Sequence, residues 1–570
     1  MFSGHTLGGM KHFMTCSALC FLILSSVSLR AQEDIVRYAM VLQGVSSPDE
    51  LDEGVVELYE NLLHSRVRIN LASEGRLRSC GLFSGYQVAS IRDYRMREGD
   101  ILSSAELALL DGFDREYVQA LSAFISFESG NLPGKAAADS LVWTGEAHVR
   151  TAMAWKEGGE SASRSIKLKA GAEDRLEVAV AGRIPAGLDS GAEISSLSAA
   201  YYGKGHLSKL VVGDVTARFG QGLVMWSGFS LTGFSSASSF AKHPSGIGRA
   251  WTLSQSSAGR GAAAALVFGR MEASVMYSID SGALLNLTYW GRRGQAGVTL
   301  HSEGLASFDF RCSRGKFDIF SETALDAKDG SAASLLGMTC NPAYQKRISA
   351  VFRWYPTEYT SSYASPVRSS SKTNDEIGLA LAADWHNLVV SLDCSAHPES
   401  GQKHMKGMLE WSTEKDRLFV LSTKSTARYR PQDTSPLRLE QRLTLDWDSS
   451  CGMSLRASGD ICHCKALSSL AYVEAMWKSS TQKPKFSLSM RASLFFADDW
   501  EDRIYCYERD IPGMFSVPAF YGRGWKCSSV VGMRIRRLTL NARASVLSYS
   551  FMKEQKPGKT ELKVNVSYEF

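Results

Sequence analysis

From about residue 140 to the end of the chain, apolar and polar residues alternate with a period of two. One hairpin shows the pattern clearly: residues 272–279 alternate, Asp280-Ser281-Gly282 forms a turn, and residues 285–289 alternate again. Successive side chains of a strand point to opposite faces, so this pattern predicts antiparallel hairpins. Similar segments begin at residues 347, 376, 387, 442, 486 and 529. No longer repeat indicates a propeller or an array of sandwiches.

The last residues of the chain identify the kind of sheet. Residues 562–570 alternate strictly between apolar and polar side chains, and the chain ends with Tyr568, Glu569 and Phe570. This ending resembles the closing strand of bacterial outer-membrane barrels. The resemblance implies that Tyr568 and Phe570 form an outer-membrane insertion signal, with the barrel-assembly machinery and outer-membrane lipid as partners. An exported sheet can cross lipid only as an edgeless barrel, because every backbone N–H and C=O must be paired there.

The fold class follows from these two features. We predict a mainly β protein, in which a small all-α module precedes a large antiparallel transmembrane β-barrel. At about 20 residues for each strand with its connection, residues 140–570 accommodate roughly 18 to 22 strands. A mean hydropathy of −0.13 and a single long apolar run argue against a bundle of membrane-spanning helices.

That apolar run lies at the N-terminus and indicates export. Residues 13–29 are mostly apolar, follow Lys11, and end just before Ala31. We interpret residues 1–31 as a signal peptide cleaved near Ala31. A membrane anchor is the alternative, but the stretch is short and interrupted by serines and threonine. The expected location of the mature protein is the outer membrane, with its helical module in the periplasm.

Residues 32–129 differ from the rest of the chain in both period and charge. They contain 17 acidic residues, nine arginines and no lysine, which gives a net charge of −8. The mature protein carries +3, so residues 130–570 carry +11. Within residues 49–63, Leu51, Val55, Leu58 and Leu62 have helical spacing. We therefore predict an acidic amphipathic helical segment at residues 32–66.

Residues 67–129 contain the most specific motif of the sequence. Residues 69–73, 77–99 and 101–121 resemble the tandem helix-hairpin-helix module of ComEA-like competence DNA receptors. In that family each hairpin carries Gly-hydrophobic-Gly, and backbone N–H groups at the second helix bind a nucleic-acid phosphate. The resemblance implies a set of hairpin-turn residues with possible phosphate or partner contacts: Ser84, Gly85, Arg92, Arg95, Arg97, Gly112, Phe113 and Asp114.

The sequence departs from the family pattern where phosphate would bind. Leu82-Phe83-Ser84 replaces the first glycine turn, and Asp114 stands where a second glycine is expected. Asp114 favours a helix N-cap, but its carboxylate occupies the phosphate position. A nucleic-acid surface is also expected to be basic. We therefore favour a module that docks an unknown periplasmic or envelope protein, and DNA binding or competence-like DNA uptake is the alternative.

Together the two regions resemble large Gram-negative outer-membrane proteins that join a helix-hairpin-helix segment to a barrel. The predicted organisation is a signal peptide at 1–31, the acidic segment at 32–66, the tandem module at 67–129 and the barrel at 140–570. We expect a non-enzymatic role in transport, export or envelope assembly. The sequence contains no nucleophile elbow, zinc helix or phosphate loop. No catalytic residue, cofactor or metal is therefore predicted.

Two further segments have alternative interpretations. The glycine-containing stretch at residues 213–228 and the serine-rich stretch at 230–245 form either a surface loop or a plug inside the lumen. Cys462-His463-Cys464 has metal-binding residue types, but in a strand His463 faces away from both thiols. The nine cysteines after the signal peptide show no spacing typical of a disulfide framework.

Overall fold

The structure is a computed structural model. It describes residues 32–45, 47–51, 53–64, 66–129, 143–156, 159–172, 175–185, 191–228, 236–253, 258–291, 293–343, 345–413, 418–449, 452–478, 485–551 and 557–570. The predicted signal peptide lies outside these residues.

Six α-helices and 29 strands occur in the described part of the chain. The helices are α1 (Gln32–Gln43), α2 (Glu53–His64), α3 (Glu74–Ser79), α4 (Gly85–Arg97), α5 (Ser104–Leu107) and α6 (Arg115–Leu121). The first strands are β1 (Val67–Arg68), β2 (Ile125–Ser126), β3 (Trp143–Lys156), β4 (Gly159–Ala172), β5 (Leu176–Ile184), β6 (Glu193–Tyr202), β7 (Leu207–Arg218), β8 (Gly246–Arg249), β9 (Gly259–Phe268) and β10 (Met271–Ser278).

The remaining strands are β11 (Gly282–Trp290), β12 (Gly294–His301), β13 (Leu305–Arg314), β14 (Phe317–Asp326), β15 (Ser331–Ala343), β16 (Lys346–Tyr355), β17 (Glu376–Trp385), β18 (Leu388–Ala396), β19 (Lys403–Ser412), β20 (Phe419–Tyr429), β21 (Leu437–Asp448), β22 (Met453–His463), β23 (Leu467–Lys478), β24 (Lys485–Ala497), β25 (Ile504–Tyr505), β26 (Ala519–Phe520), β27 (Gly522–Ile535), β28 (Leu538–Ser548) and β29 (Lys559–Glu569).

The predicted fold class is confirmed: 24 antiparallel strands close into one barrel wall. Each wall strand pairs with its neighbours along the chain, and β29 pairs with β3 to close the sheet. The short strand β8 pairs with the end of β7, whereas the start of β7 pairs with β9. The wall has more strands than expected because many hairpin connections contain only two or three residues. Each strand with its connection therefore uses less chain than the sequence estimate assumed.

The two faces of the wall have opposite polarity. In β4, Lys167 is 1% exposed, whereas the adjacent Ile166 and Leu168 are 45% and 43% exposed. Exposed Leu, Val, Ile, Phe, Trp and Tyr side chains continue around the outside of the sheet. A closed sheet with an apolar outer face and paired backbone is the form in which β-structure crosses a lipid bilayer. The barrel is therefore a transmembrane barrel.

The two rims of the barrel differ in the length of their connections. We call the rim with the start of β3 and the end of β29 the terminal rim, and the opposite rim the distal rim. Connections at the terminal rim include the two-residue turns between β9 and β10 and between β27 and β28. Three long connections lie at the distal rim: the β7–β8 loop, the β16–β17 loop and the β24–β27 loop. This asymmetry is typical of membrane barrels.

The helical segment has a hydrophobic core of its own. Helices α1 to α6 and the parallel pair β1–β2 surround a cluster of buried side chains from residues 35–125 that includes Tyr59, Leu77 and Phe124. Ser73, Ser84, Ser103 and Asp114 each cap the N-terminus of the helix that follows. None of the described helices is long and apolar enough to span a membrane. The segment is thus a packed unit separate from the wall.

Candidate functional site: the occupied lumen

The helical segment lies inside the barrel. Its side chains contact inward-facing residues on β4, β5, β10, β16, β20 and β21, which are distributed around the wall. Only a body inside the lumen can reach all of these strands. From its sequence the helical segment is expected to form a separate periplasmic module, and the structure instead places it in the lumen. Opposite charges on the helical segment and on the inner face of the wall favour this position. The wall residues that pair with the segment can be identified only once strand register is known, so the sequence alone does not reveal them.

Carboxylates of the helical segment face one side of the lumen. Asp49 and Glu50, in a 3-10 turn between α1 and α2, pair with Arg442 on β21 and Lys424 on β20; the Glu50–Lys424 pair is 3.0 Å long. One turn into α2, Glu57 accepts a hydrogen bond from Lys167 on β4 at 2.5 Å. Charge-assisted bonds of this kind are about twice as strong as neutral ones. Acidic side chains thus fix this side of the helical segment.

Arginines of the helical segment face the opposite side. From α3, Arg76 pairs with Glu177 on β5 at 3.0 Å, and Arg78 pairs with Glu272 on β10. The Arg78 guanidinium also lies 4.7 Å from the ring centroid of Trp290. All of these side chains are buried. These arginines hold the segment to β5 and β10, whereas β16 forms a pair of the reverse polarity, Arg347 with Asp114 at 3.4 Å.

The lumen wall itself has two electrostatic halves. We call β19 to β24, β27 to β29, β3 and β4 the basic wall, because cations outnumber carboxylates among its inward-facing residues. We call β5 to β7 and β9 to β18 the acidic wall, where the inward-facing carboxylates predominate. The carboxylates are Glu177, Glu272, Asp309, Asp318, Glu322, Asp326, Glu376, Asp384 and Asp393. The polarity of the wall matches the orientation of the helical segment.

Two distal loops fill the lumen beside the acidic wall. Tyr359 of the β16–β17 loop donates a hydrogen bond to the carbonyl of Leu223 in the β7–β8 loop at 2.8 Å. Gln221 of the β7–β8 loop donates its backbone N–H to Glu322 on β14 at 2.6 Å. Ala237, beyond the glycine-containing stretch, accepts a hydrogen bond from Ser349 on β16. Described residues 236–245 therefore take the lumen position, one of the two alternatives for this segment.

The β24–β27 loop fills the lumen beside the basic wall. Glu508 accepts hydrogen bonds from Lys526 and Arg543, each at 2.6 Å. Asp510 accepts hydrogen bonds from Arg543 at 2.9 Å and from Lys563 at 2.5 Å. Both carboxylates are 1% exposed. A loop from the distal rim is thus anchored by its acidic side chains.

The helical segment and the distal loops meet inside the barrel. The backbone N–H of Tyr507 donates to Asp49 at 2.5 Å, and Ser236 donates to the carbonyl of Gly44. Tyr507 and Phe515 pack against the hydrophobic core of the helical segment. Contacts from both rims therefore occlude the lumen.

One carboxyl at this junction has a shifted pKa. Burial, with a smaller contribution from Glu57, raises the pKa of Glu60 on α2 to about 7, against the opposing effects of Arg150, Lys167 and a hydrogen bond from the backbone N–H of Gly513. Its Oε1 atom has no hydrogen-bond partner among the described residues. Glu60 is consequently a titratable group located between the helical segment, the wall and the β24–β27 loop.

The predicted hairpin-turn residues lie at the turns between α3 and α4 and between α5 and α6. Ser84 forms a capping box with Gln87, and Asp114 accepts the backbone N–H of Tyr117 at 2.7 Å. Gly85 packs closely on Trp290 of β11, and Gly112 has a φ of +86° with Tyr86 beside it. One backbone N–H at the start of each of these helices, that of Gln87 and that of Tyr117, is therefore already capped by a side chain. DNA contact stays a prediction that this geometry does not favour.

The remaining predicted contact residues take different positions. Phe113 is buried, and its ring lies 6.2 Å from that of Phe83. Arg92 is close to Glu74 and Asp93, and Arg95 donates to the carbonyl of Ile69 at 3.4 Å. Arg97 is exposed. The three arginines do not form one common site.

Tyr568 and Phe570 lie at the closing seam of the barrel. Tyr568 is opposite Ala147 of β3, and the backbone N–H of Phe570 donates to the carbonyl of Gly145 at 2.9 Å. The two rings are 6.5 Å apart. Their role as an insertion signal remains a prediction.

The described residues contain no group of three His, Cys, Asp or Glu side chains arranged to hold a metal ion. Eight cysteines in these residues are free thiols: Cys80, Cys312, Cys340, Cys394, Cys462, Cys464, Cys506 and Cys527. Cys462 is buried on the inner face of β22, whereas His463 is exposed.

Sequence reasoning missed the residues that hold the lumen contents in place. Asp49, Glu50 and Glu57 belong to the predicted acidic amphipathic segment without an assigned partner, and no sequence motif marks Glu508 or Asp510. A signal for them existed in the charge of −8 in residues 32–129 beside +11 in the remainder. Opposite charges on two parts of one chain indicate contact between them, although they do not identify the pairs.

Comparisons with known proteins find similarity at the level of whole structures. The structure of the P pilus usher (PapC) translocation pore matches with a TM-score of 0.40 and 10% identity, over 75% of this chain and 99% of that chain. The Pseudomonas aeruginosa OccK3 (OpdO) structure matches with a TM-score of 0.31 and 9% identity, over 75% and 95% of the two chains. No family model and no curated protein sequence matches this chain.

Proposed function

We propose that this protein is an outer-membrane barrel for transport or export, and that the helical segment is a plug that opens and closes its lumen. The observation that supports this function most directly is the position of the plug. It lies in the lumen between the basic and acidic walls, and ion pairs connect it to both. A barrel needed only for structure would not require a folded helical unit in its lumen.

The plug has the properties of a body that moves as one unit. Its apolar side chains pack mainly on each other, in a core drawn from residues 35–125. Its contacts with the walls include ion pairs from a small number of side chains, together with packing of Gly85 on Trp290. Separation from the wall therefore exposes charged groups that water solvates well, and little of the plug core. Movement of the plug costs less free energy than its unfolding.

We further propose that a periplasmic or envelope protein docks on the plug and releases it. Met96, Leu102 and Leu109 are large apolar side chains of the plug that remain exposed, with Leu109 at 86%. All three belong to residues 96–109, between the last turn of α4 and the start of α6, and exposed large apolar side chains that form a patch are typical of a contact surface. Cross-linking of intact cell envelopes should recover a defined partner, and Leu109→Asp should reduce its recovery. An unchanged recovery with Leu109→Asp would remove this docking site.

Single-channel recording in planar bilayers tests the plug. The full-length Asp49→Asn/Glu50→Gln variant loses both carboxylates that pair with Lys424 and Arg442, while side-chain size is retained. We expect its open events to increase about tenfold, because each 1.4 kcal/mol lost from the closed state changes the equilibrium by that factor.

The matched control is Glu98→Gln/Asp111→Asn, which removes the same charge from two exposed positions of the plug. It should behave as the unmodified protein does. An equal frequency of open events in the two variants, with both shown to be inserted and folded by heat-modifiable migration, would contradict the role of the helical segment as a plug.

A further inference from the structure

Several pairs of cations lie directly opposite each other on neighbouring strands of the basic wall, Arg428 and Arg438 among them. We call the two of these that contact carboxylates inserted into the lumen the two cation pairs of the basic wall. Lys424 of β20 is the register partner of Arg442 on β21, and Arg543 of β28 is the register partner of Lys563 on β29. Like charges directly opposite one another destabilise a sheet. Each pair therefore needs anionic groups in contact with it.

These anionic groups come mainly from elements inserted into the lumen. Glu50 and Asp49 of the plug contact Lys424 and Arg442. On the other pair, Asp510 of the β24–β27 loop contacts both Arg543 and Lys563. Arg442 also has one wall partner, Asp460. The carboxylates thus come from two separate parts of the chain, and both parts enter the lumen.

A wall cation elsewhere shows the contrasting arrangement. Arg353 on β16 is paired with Glu376 and Asp393, which belong to the adjacent β17 and the next strand, β18. Its neutralising groups stay in place whatever occupies the lumen. The two cation pairs of the basic wall lose most of their counter-charge when the inserted elements move.

The second cation pair has unused hydrogen-bonding capacity. Arg543 is 2% exposed, and its Nε atom has no acceptor among the residues that the structure describes. Lys526 on β27 lies on the other side of Glu508, 2.6 Å from its Oε2 atom. A guanidinium with a free N–H beside two ammonium groups is suited to an anion with several oxygens, such as a carboxylate or a phosphate.

We infer that the two cation pairs of the basic wall are binding sites for the carboxylate or phosphate groups of a transported anionic solute. When the lumen is closed, carboxylates of the plug and of the β24–β27 loop occupy these sites. This inference rests on the proposed function, because a solute reaches the sites only in the open barrel. It identifies the class of solute as anionic.

Reversal potentials across a KCl gradient test the inference in the open Asp49→Asn/Glu50→Gln protein. We expect chloride to be more permeant than potassium, because positive charge in a confined lumen concentrates anions. Adding Arg543→Gln/Lys563→Gln to this protein should reduce the chloride-to-potassium permeability ratio by about threefold or more. Arg311→Gln/Asp318→Asn is the matched control, since it removes an ion pair of the acidic wall without changing net charge.

Citrate and inorganic pyrophosphate serve as probes for the two ligand chemistries. Each of the following outcomes requires that Arg543→Gln/Lys563→Gln weakens the block. Block by citrate alone supports carboxylate solutes, block by pyrophosphate alone supports phosphate solutes, and block by both supports an anionic solute of either kind. Cation selectivity, or selectivity and block that do not respond to this variant, would overturn the inference and leave the plug intact as a proposal. The absence of open events in every variant would instead overturn the proposed function.

Discussion

Selected cations of the acidic wall and of the basic wall illustrate two ways in which a buried charge is neutralised. On the acidic wall, Arg353 is paired with Glu376 and Asp393, and Arg311 with Asp318, so the partners belong to the wall itself. On the basic wall, Lys424 and Lys563 are paired with Glu50 of the plug and Asp510 of the β24–β27 loop. The comparison separates charges that stabilise the sheet from charges that hold its movable contents.

This difference has a physical consequence for variants. A buried pair within the wall has no alternative, so removal of one partner leaves a charge without compensation in a fixed position. A pair between the wall and an inserted element can respond by movement, because the element can shift and water can solvate the remaining charge. Stability of the sheet and occupancy of the lumen should therefore respond to different substitutions.

The largest expected effect is on the stability of the wall. Arg353→Met should destabilise the barrel by about 3 to 5 kcal/mol, because Glu376 and Asp393 remain buried without their cation. Unfolding of the detergent-solubilised protein in urea measures this effect. Lys424→Met is the matched variant on the basic wall, and it should change barrel unfolding by less than about 1 kcal/mol. Equal destabilisation by the two variants would invalidate the distinction between the walls.

A somewhat smaller effect is expected from pH. In the closed state, burial raises the pKa of Glu60 from 4.5 to about 7. Between these two pH values the carboxyl is protonated in the closed state, whereas in the released plug it is ionised. Closure therefore has its full stability below pH 4.5 and loses up to about 3 kcal/mol as pH rises to 7 and slightly beyond.

Channel recordings between pH 4.5 and pH 8 measure this dependence. Open events should become more frequent as pH rises, and Glu60→Gln should remove most of the change because the amide does not titrate. Glu98→Gln, at an exposed position of the plug, should leave the dependence unchanged. A profile that is the same with and without the Glu60 carboxyl would assign the titration to another group.

The smallest effect concerns the plug alone. Ser84→Ala removes the capping box at the start of α4 and should destabilise the plug by about 1 kcal/mol, without a change in the unfolding of the wall. Amide hydrogen exchange of α4 against that of the strands measures the difference. Ser122→Ala, which removes an exposed hydroxyl at the end of α6, should have little effect. Faster exchange throughout the barrel would show that plug and wall unfold as one unit.

The sequence predicted the elements of this protein more successfully than their assembly. Period-two alternation, continued through residues 562–570, predicted the barrel, and Asp114 marked a helix start that the structure contains. The number of strands was underestimated because connection lengths vary with the rim. Ser84, Gly85 and Asp114 lie at turns that pack and cap internally rather than forming an open phosphate site.

Alternation and charge composition are local properties that the sequence by itself determines. They determined that the chain forms a closed sheet with one apolar face and a helical unit with its own core, and that the two parts carry opposite net charges. Only the tertiary structure decided that the helical unit lies inside the sheet. Closure of the barrel fixes which strands stand opposite one another, and strand register fixes that Lys424 lies beside Arg442 and Arg543 beside Lys563. These pairs are far from their acidic partners in the chain, and no local pattern connects a carboxylate at residue 49 with a guanidinium at residue 442.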